Sequence, residues 1–576
     1  MSAITTFIND NGLKIYKNST QVDVPRVDLP TLLFDSEHGL AEDDTPLHLC
    51  ASNPDIHLTK ATLRALAERI AHFLRHGFLV GAQCPYEDVV VVCSSGQPAA
   101  TAMFYGIIAA GGVFSAASPS YTPEELTRQV KQGKSNLLVV SPDKVEVGKK
   151  AAQIAGLGLD RVIVLSSEPW WEIRSLDGSM AVDPRKGPKL PWRRITDEAE
   201  LKRSLIVLLY SSGTTGVPKG VMLSHGNLVN QLYIPSVQAR AHVAAAVEAG
   251  EPAPSPFRTL AHLPIAHIVG VFGYLISPMF RGGGGGGAVY WMEKFSWKPF
   301  LENMKKLQIT GFYTVPSIYL RIAKSQEVTD HFDTVETAIT RAAPMDAELQ
   351  QAANARLGKG KTRISQTWGL SETTGAVTAM PRGASDVSGS ISPVLPNMEM
   401  RIVDDDYNDV SHGTPGEIIV RGPFVTNGYF NNPEATAATF HDGWFCTGDI
   451  AVDCGGKFYV VDRKKELLKY KGLQIAPAEI ENLLITHPQI LEAAVVGISV
   501  EGGSEVPRAY VVLRQVGALS EDVVKSFVKG RMVDYKQLRG GVRFVDELPK
   551  NPVGKILRRE LRDRARAEEG GVKAKL

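Results

Sequence analysis

Apolar residues recur at helical spacing in Leu63, Leu66, Ala67, Ile70 and Leu74, and Gly77 stands where such a helix would stop. The β-branched run Val89–Cys93 predicts a buried strand, residues 98–110 a helix, and residues 113–118 a second strand. Thr122-Pro123-Glu124-Glu125 reads as a capping box with proline at the first helical position, and Leu137–Val140 as the next strand. Strands alternating with helices predict a parallel sheet covered on both faces, an α/β fold. Between 166 and 191, Pro and Trp interleave with charge, which predicts a surface loop, and residues 241–256 read as a surface insertion. After about residue 395 short strands around 400–403 and 417–420 are separated by Gly, Asp and Asn turns, predicting a compact β-rich unit. A charged run, DRKKELLKYKG, begins at Asp462. A helix start at Pro477, strands at 493–496 and 509–513, and a Lys/Arg-rich end follow. The expected division is therefore a large region over 1–461, a hinge at 462–465 and a small α+β domain over 466–576.

Charge and composition narrow the possibilities. The 576 residues include 63 Lys+Arg and 62 Asp+Glu, so a formal charge of +1 leaves no electrostatic footprint for nucleic acid or an anionic membrane. With 44% hydrophobic and 22% charged residues the chain is neither disordered nor fibrous. The longest nearly apolar stretch, 103–117, is too short for a bilayer span and contains Gly106, Gly111 and Gly112. Cysteines at 50, 84, 93, 446 and 454 form neither a metal spacing nor an even disulfide set, and no secretory pattern opens the chain. A soluble protein of a reducing compartment is expected.

The strongest chemical signal is YSSGTTGVPKG, Tyr210 to Gly220, directly after the apolar run 205–209. Its glycines let backbone N–H groups turn toward an anion, its four hydroxyls add donors, and Lys219 adds a point charge, a combination suited to nucleotide phosphates. It is not a Walker A loop: Gly133-Lys134-Ser135 and Gly360-Lys361-Thr362 both lack the required glycine five residues earlier. Residues 282–287 satisfy GxGxxG only as a glycine run with no helix to follow.

This loop resembles the phosphate loop of the adenylate-forming superfamily, and the chain from about 58 to 560 carries the superfamily's other motifs in order, most like the 4-coumarate–CoA ligase-like acyl-CoA ligases. The resemblance implies a large N-terminal domain of two doubly wound α/β subdomains plus a β-barrel-like subdomain, with a small mobile α+β C-terminal domain. It implies that Ser211, Ser212, Gly213, Thr214, Thr215, Gly216 and Lys219 surround phosphates, and that Ala342, Ala343 and Pro344 border adenine. In QTWGLSETT, Gln366, Thr367, Trp368, Gly369 and Ser371 fall on the second nucleotide motif, and Glu372 would ligate Mg²⁺. Trp368 would flank the adenine. Thr367 replaces a usual glycine, implying a narrower acyl pocket. In WFCTGDI, Asp449 would accept from the ribose hydroxyls, with Arg463 holding ribose or phosphate. His267 in LPIAHIVG matches the gate at the acyl-pocket entrance; a satisfied core histidine is the alternative. Arg341 stands where relatives carry Gly or Ser, and a solvent-facing guanidinium is expected there. Beyond the hinge, Lys555 matches the adenylation lysine, Lys469 a lysine of the second half-reaction, and Lys471 and Gly472 the border of the CoA tunnel.

The resemblance thus implies an ATP-dependent acyl-CoA ligase using ATP, Mg²⁺ and coenzyme A on an aryl or medium-chain acid through an acyl-AMP intermediate. Its rivals are an adenylating enzyme that loads a carrier protein in trans and a luciferase-like monooxygenase. The ending Ala574-Lys575-Leu576 resembles the small-basic-Leu peroxisomal signal, implying an import receptor as partner and peroxisomal residence in a eukaryotic host, with a cytoplasmic location otherwise.

Overall fold

The computed structural model describes residues 4–8, 12–168, 171–183, 185–211, 218–280, 287–470, 473–500, 504–550 and 555–573. The chain divides into two compact units, one of residues 1–400 and 420–445, the other of 401–419 and 446–576. The expected division at 461 falls within the strand Lys457–Arg463.

The first unit contains two α/β sheets. In the larger, the order is Ala181–Val182, Glu172–Ser175, Val162–Ser166, Leu137–Val140, Val89–Cys93, Val113–Ala117, Leu205–Ser211 and Lys219–Ser224. The five inner strands run parallel and the outer pairings are antiparallel. Val89–Cys93 is buried throughout, as a strand covered on both faces must be. The capping box at Thr122 forms as expected: its hydroxyl accepts from the Glu125 N–H, and the Glu125 carboxylate accepts from the Thr122 N–H.

Three sequence expectations are revised. The helix Lys60–Phe78 runs through Gly77 and ends with Leu79 at φ 61°, so Gly77 is not its stop. A Cβ at Gly77 would lie 2.2 Å from Met180 Cε, so the glycine permits close packing instead. The supposed loop 166–191 contributes two edge strands to the sheet. The insertion at 241–256 begins as the last part of a long helix, His225–Glu248.

The second α/β part contains a four-stranded sheet in the order Phe257–Ala261, Gly287–Trp291, Pro46–Cys50, His57–Thr59. A three-stranded parallel sheet, Gly311–Thr314, Thr337–Thr340 and Ile364–Gln366, completes it. Phe300, Phe312, Tyr319 and Phe332, all fully buried, fill the core between this sheet and its helices. Two doubly wound parts are therefore present, as expected. The barrel-like part is a sheet whose strands Glu399–Val403, Gly416–Arg421 and Trp444–Cys454 pass from one unit into the other.

The second unit holds the hairpin from Asp449 through Cys454 to Arg463 and a three-stranded sheet, Ile490–Ser499, Glu505–Leu513 and Val542–Phe544. Helices Pro477–Thr486, Glu521–Lys529 and Arg558–Lys573 accompany them, giving the expected α+β composition. Among the described residues no helix is long and apolar enough to cross a membrane.

Candidate active site

Strands Leu205–Ser211 and Lys219–Ser224 pair antiparallel with Ser211 opposite Lys219, so these two residues flank the glycine-rich loop at its base. Ser212, Gly213, Thr214, Thr215 and Gly216 lie outside the described residues. The Ser211 hydroxyl donates to Glu372 Oε1 at 3.0 Å, joining the loop's base to the second nucleotide motif. Glu372 sits in the single turn Ser371–Thr373, between the short strands Gly369–Leu370 and Gly375–Ala376. That hairpin closes only because residue 369 is glycine: a Cβ there would lie 1.7 Å from the Gly375 carbonyl oxygen. Thr374, at φ 56°, fixes the turn by donating its hydroxyl to the Phe424 carbonyl at 2.6 Å.

The Glu372 carboxylate is 8% exposed, and its Oε1 also accepts from the Tyr429 hydroxyl at 3.1 Å. Burial, and then the adjacent Glu372 charge, push the Tyr429 phenol well up, so it stays a neutral donor at physiological pH. Lys219 Nζ lies 5.0 Å from the Tyr429 ring centroid, a cation–π distance. No Lys or Arg forms an ion pair with Glu372 among the described residues. Both donors are neutral hydroxyls, so the charge of the carboxylate stays uncompensated and fits a hard divalent cation.

The three parallel strands of the second sheet end together, at Thr314, Thr340 and Gln366, and ligands of α/β sheets bind beyond such carboxyl ends. Backbone bonds join the segments that leave them: Arg341 N–H to Thr314 O at 3.3 Å and Thr367 N–H to Thr340 O at 3.1 Å. Ala342, Ala343 and Pro344 are exposed, with Ala342 at φ 75°, a conformation that costs a residue with a Cβ. Gln366 holds this segment from behind, its Oε1 accepting from the Met345 N–H at 2.6 Å and its Nε2 donating to the Gly389 carbonyl at 2.6 Å. Thr367 and Trp368 are buried and Ser371 is half-buried.

His267 is half-buried at the start of the turn Ile268–Gly270. The satisfied core histidine is instead His262, whose ring nitrogens meet the Leu260 carbonyl and the Thr314 hydroxyl, both at 2.9 Å. Burial pushes its pKa down to about 4.

In the second unit Asp449 and Arg463 face each other across the hairpin, and Arg463 Nε lies 3.1 Å from Asp449 Oδ1. Lys555 stands in the field of these two groups. Burial, the nearby Arg463 charge, Lys465 and Arg558 press its ammonium down to about 8, against a partly compensating pull from Asp449. Lys469 is exposed on the strand Leu468–Tyr470, opposite Gln474. Lys471 and Gly472 lie outside the described residues.

Residues 41–430 match the family described as AMP-binding enzyme, and residues 479–555 match its C-terminal domain. The chain belongs to the AMP-binding enzyme family. A putative acyl-coenzyme A synthetase of Emericella nidulans is 45% identical to this AMP-binding enzyme over 559 residues, 96% of this chain and 99% of the relative. The 4-coumarate–CoA ligase 1 of Arabidopsis thaliana is 37% identical over 489 residues, 82% of this chain and 83% of the relative. The ATP-bound crystal structure of MatB from Rhodopseudomonas palustris superposes with a TM-score of 0.77 at 27% identity, covering 93% of this chain and 98% of that one.

Sequence reasoning missed two residues of this AMP-binding enzyme. Tyr429, 57 positions beyond Glu372, meets it only through the fold. The turn sequence Asn427-Gly428 before Tyr429 and Asn431-Asn432-Pro433 after it were the available hints of an ordered hydroxyl there. Gln231 is 2% exposed in the interior of the helix His225–Glu248, and nothing in its neighbours marks it.

Proposed function

We propose that this AMP-binding enzyme is an ATP-dependent acyl-CoA ligase. The oxygen of a carboxylic acid attacks the α-phosphorus of ATP, and pyrophosphate leaves. The CoA thiol then adds to the acyl-adenylate carbonyl, AMP departs, and the thiol proton passes to solvent. The carrying observation is the Glu372 carboxylate, anchored by two neutral hydroxyl donors at the base of the glycine-rich loop. The extended likeness to acyl-CoA synthetases over nearly the whole chain supports the same reading.

In this reading Ser211, Lys219 and the loop between them hold the phosphates, and the exposed Ala342-Ala343-Pro344 segment with buried Trp368 borders the adenine. Asp449 accepts from the ribose hydroxyls while Arg463 orients its carboxylate. Glu372 would hold Mg²⁺, which when bound neutralises phosphate charge. Lys555 supplies an ammonium to the carboxylate and α-phosphate oxygens as negative charge shifts between them, a stabilisation that acts in the transition state. His267 stands at the acid's entrance. Residues 462–465 serve as a hinge, and Lys469 belongs to the face used for thioester formation. No protein nucleophile is needed; positioning and electrostatics suffice.

The acid is an aryl or medium-chain one, a reading supported by the 4-coumarate–CoA ligase relative. Incubation with ATP, MgCl₂, CoA and a panel of such acids should give AMP, pyrophosphate and the thioester, without light. Adenylate formation with no transfer to free CoA would favour carrier loading, and light emission a monooxygenase. Ala574-Lys575-Leu576, outside the described residues, is proposed to direct the enzyme to peroxisomes through an import receptor. Deleting the three residues should turn a punctate tagged protein diffuse, and unchanged puncta would refute the assignment.

A further inference from the structure

Arg341 does not face solvent as the sequence suggested. It leaves the end of the strand Thr337–Thr340 half-buried, with its backbone N–H tied to the Thr314 carbonyl. Its guanidinium turns inward over Gly375. A Cβ placed on Gly375 would lie 3.8 Å from Arg341 Nη1, 3.8 Å from Gln231 Cδ and 3.9 Å from Ile268 Cγ1. Three side chains from three separate elements therefore converge on one point, and two of them are polar. Ile268 follows His267 directly, and Gly375 pairs with Leu370, so this point lies where the segments around His267 and Thr367 meet.

The second polar group is independent evidence. Gln231 is 2% exposed, yet its Oε1 has no hydrogen-bond partner among the described residues. A buried carboxamide oxygen left in this state costs free energy that a ligand could recover. Amide oxygen and nitrogen exchange by a flip of the side chain, so Gln231 can present either a donor or an acceptor to what binds. A guanidinium brought beside it offers several donors in a planar fork, a geometry that matches a carboxylate. A hydrocarbon tail laid against the pair would leave both groups unsatisfied and is disfavoured for that reason.

We propose that Arg341 and Gln231 form a polar end of the acyl pocket that selects acids carrying a second carboxylate remote from the one that is adenylated. The inference rests on the ligase reading for the identity of the pocket. It adds that the preferred substrate class is a dicarboxylic acid, and that Arg341 decides this preference.

Two readouts test it, one of which needs no turnover. Calorimetric binding to the full-length protein compares succinate, glutarate and adipate with butyrate, valerate and hexanoate. At least one dicarboxylate should bind ~10-fold or more tightly than its monocarboxylic counterpart, with Arg341→Met abolishing the difference and Arg341→Lys keeping part of it. In the pyrophosphate-release assay the same pair of acids should differ in kcat/KM by ~100-fold or more, since a site built to pair a polar group rejects analogues that lack it. Gln231→Met should reduce that ratio, and thermal melts of each variant check folding.

Equal binding of the two series to the unaltered protein would overturn the proposal even if no acid were turned over. Equal losses for both series in Arg341→Met would also overturn it, because Arg341 would then be serving the reacting carboxylate. Dicarboxylate binding that depends on Arg341, without AMP formation from any acid, would uphold the site and refute the ligase reading instead.

Discussion

In the larger unit the Glu372 carboxylate is held by two neutral hydroxyls, from Ser211 and Tyr429, while in the smaller unit the Lys555 ammonium stands among Arg463, Lys465 and Arg558 with Asp449 opposing them. Each donor to Glu372 belongs to a different part of the first unit, and the turn that carries it is fixed by Gly369 and Thr374. Such a carboxylate is preorganised and keeps its charge for a cation. Lys555 is the opposite case, because its neighbours repel the proton it carries and its pKa falls to about 8. An anion brought to it relieves that repulsion. The difference suits a fixed nucleotide platform served by a cation that gains most when substrate phosphate is present.

The largest expected effect comes from removing that cation. Lys555→Ala should lower single-turnover acyl-adenylate formation by ~10²–10³-fold, the usual loss for one preorganised donor. A pH series sharpens the same point. The ammonium form is the active one, so adenylation should fall as pH rises through about 8, and Lys555→Arg should move that descending limb to higher pH. A descending limb left in place by Lys555→Arg would assign it to another group. For stability the sign is reversed. Below its ordinary value of 10.5 and above about 8 the unfolded chain binds this proton more strongly, so the lysine's contribution to stability rises with pH across that window.

On the platform side, Glu372→Gln should weaken the apparent Mg²⁺ affinity of adenylation by ~10–100-fold, measured by metal titration at fixed ATP. An unchanged titration would remove Glu372 from the metal site. A smaller change is expected from Thr367→Gly. The Thr367 hydroxyl reaches back to the Thr340 carbonyl at 3.4 Å, and its loss should favour bulkier acids by ~10-fold in kcat/KM. The mildest is Tyr429→Phe, which removes one of two hydroxyl donors to Glu372. About 1 kcal/mol, or roughly fivefold in adenylation rate, should be lost, and less at saturating Mg²⁺.

These residues differ in how far the sequence exposes them. Glu372, Asp449 and Lys219 lie in contiguous motifs, where neighbours in the chain define the chemistry, and so they are legible from order alone. Helix Pro123–Gln132 is equally legible because its cap is a local pattern. Gly77 was misread because a packing contact with Met180, 103 positions away by number, leaves the same letter as a helix stop. The edge strands Glu172–Ser175 and Ala181–Val182 were hidden by their shortness and by the Trp and Pro around them. Tyr429 and Gln231 act at contacts made only by the folded chain. The direction of Arg341 depends on the space above Gly375, which no local pattern reports.

The measurement that bears most directly on the two-region account separates the half-reactions in two variants. Lys555→Ala should lose adenylation yet still convert supplied acyl-adenylate and CoA to thioester near the unaltered rate. Lys465→Pro, which fixes φ in the proposed hinge, should do the reverse, forming acyl-adenylate while failing to pass it to CoA. Equal loss of both half-reactions in both variants would contradict the account.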